Sequence, residues 1–175
     1  MKQLPFFRMF SLVMIPFTFL VMFSCSTTWA TKAGVDLQKV ESVYIGWIDL
    51  DEKMWGYHEY ETKKDWTNTI ARLNSAFIAK LDSMYLPGHK VTGASSKDSS
   101  PKNSHDLHIL FSDVKIDPNY QILKVTLTFI NGDSGNTLFK VRNEEFPCHR
   151  IGFEQFLTGS LEKLGENLAT ELTSN

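Results

Sequence analysis

The chain has 175 residues, 42% of them hydrophobic and 22% charged, with a formal net charge of −2. That composition suits a folded domain and excludes a disordered tail or a strongly basic nucleic-acid binder, which gathers lysine and arginine to offset phosphate charge. With Lys2 and Arg8 set aside, 16 basic residues face 20 acidic ones, a net charge of −4 on the rest. About 150 residues then remain, enough for one ordinary core.

Residues 1–8 carry Lys2 and Arg8 and no acid, and residues 9–23 are apolar apart from Ser11, Pro16 and Thr18. A charged start followed by a short apolar run predicts an export signal over 1–24. Fifteen residues fall short of the ~20 a membrane-spanning helix needs, and Pro16 weakens a helix there. The run ends at Met22-Phe23-Ser24-Cys25, which resembles the lipobox of bacterial lipoproteins. That resemblance implies diacylglycerol on the sulfur of Cys25, which becomes the new N-terminus, so the membrane is a partner through a lipid anchor. Ser26 stands where an aspartate marks inner-membrane retention in enterobacterial lipoproteins, so the resemblance implies the outer membrane. The alternative is ordinary cleavage after Ala30, behind Thr28-Trp29, giving a secreted or free periplasmic domain. Residues 25–38, mostly small and polar, are expected to form a tether of at most roughly 45 Å. A single domain follows over 39–175. Cys148 is then the one cysteine left in it, which precludes an intrachain disulfide.

Residues 40–50 are apolar on both faces, as in a central strand. The stretch 51–61 sets Trp55, Tyr57 and Tyr60 among Asp51, Glu52, His58, Glu59 and Glu61. Trp55, Tyr57, His58 and Tyr60 are the candidate binding residues, for a protein partner or, in the second reading, for a small ligand or glycan stacked on the rings. The plainer expectation is that the aromatics fold back over the core edge while the acids face water. Trp66, Ile70, Leu73, Phe77, Leu81 and Tyr85 predict an amphipathic helix over 63–86, stopped by Pro87-Gly88. The opposite face holds Arg72, Lys80 and Asp82 without a basic cluster, so the stripe is read as core and not as a membrane surface.

A short strand over 89–94 leads to a polar loop over 95–105, then strands over 106–114 and 123–129, the latter with Leu123, Val125, Leu127 and Phe129 on one face. Residues 131–135 predict a tight reversal into a strand over 137–142. A second amphipathic helix over 152–173 carries Phe153, Phe156, Leu157, Leu161, Leu164, Leu168 and Leu172. The predicted class is α+β, with a mixed or antiparallel sheet of about five strands and two amphipathic helices on one face, in the order β-α-β-β-β-β-α.

The run Asp106-Leu107-His108-Ile109-Leu110, followed by the hairpin from Leu127 through Asn131-Gly132-Asp133-Ser134-Gly135 to Leu138, resembles the small α+β domain of envelope lipoproteins. That group includes the curli-secretion lipoprotein and the amino-terminal domain of TolB. The resemblance implies a non-catalytic role through protein–protein interaction in envelope assembly or transport.

The search for chemistry leaves no complete set of roles. His58-Glu59-Tyr60-Glu61 begins like a zinc-protease motif, but Thr62 stands where the second histidine is required. His105 and His108 are three apart, which in a strand sends them to opposite faces. Asp106 and His108 share a face and could pair, and Cys148 precedes His149 directly. No catalytic residue, metal, cofactor or nucleic-acid partner is expected; a protein of the envelope is.

Overall fold

The computed structural model describes residues 29–37, 39–50, 63–101, 104–117, 122–145 and 153–173. Helix α1 (Trp29–Ala33) comes first, then strand β1 (Ser42–Ile45), helix α2 (Lys63–Lys80), and strands β2 (Lys90–Gly93), β3 (Leu107–Asp117), β4 (Ile122–Asn131) and β5 (Thr137–Glu145). Helix α3 (Phe153–Thr173) closes the order. The five strands make one sheet, β2-β1-β3-β4-β5. β1 runs parallel to both β2 and β3, while β3, β4 and β5 form an antiparallel meander. The class is α+β with a mixed sheet and two long helices, as the residue pattern predicts.

The parallel pairings follow from the connections. A parallel neighbour requires a crossover, and α2 provides it between β1 and β2. β4 alternates half-buried and buried residues along its length. Leu123, Val125, Leu127 and Phe129 point inward beside Val43, Ile45, Leu107 and Ile109. Against them lie Trp66, Ile70, Leu73 and Phe77 of α2 and Phe156, Leu157, Leu161, Leu164 and Leu168 of α3. Both helical stripes are thus buried on one face of the sheet. Phe129 and Phe139 stack across β4 and β5 with ring centroids 4.2 Å apart.

Three departures from simple periodicity shape the edges. The last turn of the first long helix widens into a π turn (Leu81–Tyr85), with the Leu86 N–H donating to the Leu81 carbonyl at 2.8 Å. Closing over five residues brings Leu81 and Leu86 both into the core. β3 runs past 114 because a bulge between Ser112 and Lys115, with Asp113 at φ 51°, resets its register against β4. The strand expected over 40–50 is regular only at Ser42–Ile45. Beyond it Ile48 and Leu50 stay buried, and the buried Asn74 of α2 serves Ile48 as a neighbouring strand would. Its Oδ1 accepts from Ile48 N at 2.8 Å, and its Nδ2 donates to the carbonyls of Ile48 and Ile70, each at 3.1 Å.

The stretch read as a tether contains α1. Ala30 and Leu37 lie in the core, and Trp29 and Val35 pack against it. The helix ends at Gly34, whose φ of 70° suits glycine, with Val35 N–H donating to the Ala30 carbonyl at 2.9 Å.

Candidate functional site

Trp55, Tyr57, His58 and Tyr60 lie outside the described residues, as do Cys25, Cys148 and His149. The chemistry-bearing residues that the structure brings together are Tyr44, His105, Asp106 and His108, at the start of β1 and β3. Tyr44 and His108 are register partners in the parallel pair. Both point away from the long helices, because Val43, Ile45, Leu107 and Ile109 point toward them.

On that second face the chain from β2 to β3 crosses over β1. The Tyr44 hydroxyl donates to the Ser99 carbonyl at 3.3 Å, and Ser95 and Ser96 gather on the Ser99 hydroxyl at 3.0–3.1 Å. Lys97 meets Asp49 at 2.5 Å. The polar loop is therefore a roof over an aromatic cluster. His105 and His108 are 8% and 5% exposed. Each ring centroid is 5.8 Å from that of Tyr44, and the two imidazoles are 6.2 Å apart, edge to face. The sequence rule had sent these histidines to opposite faces; it fails because His105 precedes the first residue of β3, so strand alternation does not reach it. Burial pushes the Tyr44 hydroxyl up from the ordinary tyrosine range.

Asp106 does not pair with His108 as a catalytic dyad would. Its Oδ2 accepts from Glu41 N at 2.9 Å, Ser42 N at 2.8 Å and Ser42 Oγ at 3.0 Å, and its own N–H donates to Ser42 Oγ at 3.0 Å. The residue clasps the start of β3 to the start of β1. The backbone N–H of Glu41, then that of Ser42 and the Ser42 hydroxyl, hold the carboxyl below the usual aspartate range.

A carboxyl whose folded-state value is depressed stabilises the fold fully above its unfolded value, ~3.9, and loses that contribution as pH falls through the folded value. Asp106→Asn is therefore expected to lower stability at pH 7 by about 1 kcal/mol, a figure kept small because the side chain is exposed. Urea unfolding at pH 7 and again near pH 3 checks this: the gap between variant and parent should shrink in acid.

The hairpin tip supports the same corner. Gly132 N–H donates to the Asp106 carbonyl at 2.9 Å, and Asn131 Oδ1 accepts from Ser134 N at 2.8 Å to hold the turn. On the far side of the molecule, α2 and α3 leave a groove lined by Leu73, Ala76, Phe77 and Leu161. Its flanks are the ion pairs Arg72–Glu154 and Lys80–Glu162. Among the described residues no three His, Cys, Asp or Glu side chains are grouped to hold a metal ion.

No protein-family model matches the sequence, and no curated protein does. Solved structures give distant likenesses. A PelC dodecamer from Paraburkholderia phytofirmans aligns over 76% of this chain and 90% of its own, at 14% identity and a TM-score of 0.40. A homolog of neuraminyllactose-binding hemagglutinin from Helicobacter pylori aligns over 79% and 86%, at 9% identity and a TM-score of 0.42. At that level neither carries an argument about function.

Sequence reasoning missed Tyr44 as the centre of a cluster, and Asn74 and Glu171 as long-range partners. The signal for the last two was present: each is a polar residue inside an apolar helical stripe, Asn74 between Leu73 and Phe77, Glu171 between Leu168 and Leu172.

Proposed function

We propose that the chain is a non-catalytic lipoprotein of the cell envelope, anchored through Cys25, more readily in the outer membrane, and acting by protein–protein contact in envelope assembly or transport. The observation that carries the non-catalytic part is the commitment of Asp106 to Glu41 and Ser42. An acid spent on joining two strands does not orient His108 as a general base, and the histidine itself lies under the loop roof. Contact with a partner then falls to exposed surface. The β2 edge, with Lys90 and Thr92 exposed, is one such surface, and Trp55, Tyr57, His58 and Tyr60, outside the described residues, are the second candidate by residue type.

The test is affinity purification of the full chain from detergent-solubilised envelopes, with Trp55→Ala and, on the helical side of the domain, Arg72→Ala. The expected result is an envelope protein recovered with the parent and with Arg72→Ala, its affinity falling about thirtyfold with Trp55→Ala. Equal loss with both variants, or turnover of a chemical substrate abolished by His108→Gln, would overturn the reading.

A further inference from the structure

α1 is held by a contact from the far end of the chain. The Glu171 carboxylate, on the last turns of α3, accepts from the backbone N–H of Trp29 through one oxygen and from that of Ala30, at 2.7 Å, through the other. Glu171 is 6% exposed, a degree of burial that an ionised carboxylate tolerates only with hydrogen-bond donors aimed at it. Its position on α3 sharpens the point. The C-terminal end of a helix disfavours a negative charge, so its compensation has to come from elsewhere, here from the first N–H groups of α1. The buried Ala30, the Ala30 carbonyl that receives Val35 N–H, and the buried Leu37 complete the attachment.

We propose that Glu171 is the receptor for the start of the mature chain: processing falls upstream of Trp29, and the carboxylate locks residues 29–37 onto the body. The two cleavage readings differ in what they leave of this contact. A cut after Ala30 removes Trp29, Ala30 and both N–H donors, and leaves Glu171 buried without them. A cut before Cys25 keeps all of these. It also shortens the free tether, because three residues, 26–28, separate Cys25 from the locked helix. Fully extended, that step spans about 14 Å, against the roughly 45 Å of a tether running to residue 38. The end of α3 that carries Glu171 then faces the membrane, and the domain is held close to it. The placement of the cut rests on the exported-lipoprotein reading; the lock is read in the folded body.

The experiment expresses the full chain in an exporting bacterial host and determines the mature start by intact mass. It then follows trypsin cleavage at Lys32 in the parent, Glu171→Ala and Glu171→Gln proteins, with the melting temperature of each. Expected are a start at Cys25 with added acyl mass, and slow cleavage at Lys32 in the parent. Glu171→Ala should raise that rate about tenfold, through local opening. Glu171→Gln, which keeps the shape and one acceptor oxygen, should fall between and guards against a variant that simply fails to fold. A start at Thr31 overturns the proposal, whatever else is found. A start at Cys25 with Lys32 cut equally fast in all three proteins overturns the lock and leaves the anchor standing. A start upstream of Trp29 with no acyl mass, but with protection that depends on Glu171, supports the lock and overturns the lipoprotein reading.

Discussion

Gly132→Ala should prevent the domain from reaching its folded state, or lower its stability by at least about 4 kcal/mol. A Cβ built on Gly132 falls 1.6 Å from the carbonyl oxygen of His105 and 2.8 Å from its carbonyl carbon. Both are backbone atoms, so no rotamer change relieves the overlap. The hairpin tip would have to withdraw, breaking the Gly132 to Asp106 hydrogen bond and loosening the corner that holds His105 against Tyr44. Gly135→Ala is the control. It has open space around its Cβ but a φ of 70°, so it should cost about 1 kcal/mol from backbone strain alone. Urea denaturation of the two variants should separate them by several kcal/mol; similar midpoints would mean the hairpin does not press on residues 105–106.

Asn74→Ala is expected to cost about 3 kcal/mol. The side chain is 1% exposed and answers both the N–H and the carbonyl of Ile48, in a segment that has left the sheet. Truncation leaves the Ile48 N–H without the acceptor that serves it, leaves the Ile48 carbonyl with the Leu50 N–H alone, and opens a small void beside α2. Asn74→Asp should be worse than its near-identical shape suggests. It keeps the acceptor for Ile48 N but turns oxygen toward the carbonyls of Ile48 and Ile70, where nitrogen now donates. Hydrogen exchange at the Ile48 amide gives a local readout, and should speed up in both variants before global unfolding is reached.

Much of this architecture was legible in the residue pattern because it rests on periodicity. The alternation from Leu123 to Phe129 gives β4, and the three- and four-residue steps from Trp66 to Phe77 and from Phe156 to Leu172 give the buried stripes of α2 and α3. What periodicity misses is where one side chain replaces a regular partner. Residues 46–50 read as strand because they are mostly apolar, yet past Gly46, whose N–H still donates to Ile109, it is Asn74 that meets Ile48 as a neighbouring strand would. The π turn is hidden for a similar reason, since a five-residue step from Leu81 to Leu86 fits neither a helix nor a strand count. The site was less legible than the fold. Asp106 and His108 read as a possible pair from their spacing, but spacing says nothing of Glu41 and Ser42, which reach Asp106 from 65 and 64 positions away.

The contact between Trp29 and Glu171 spans 142 positions, nearly the whole described chain. Closing so large a loop is an entropic step that pays only after nearer contacts exist, whereas the paired strands β3, β4 and β5 follow one another closely in sequence. The meander is thus the natural nucleus, and the first helix is among the last pieces to settle. A chain that emerges from a ribosome or a pore with its first residues leading cannot finish this fold until position 171 has also emerged. Its opening segment waits, loose and accessible, for the arrival of its final turn.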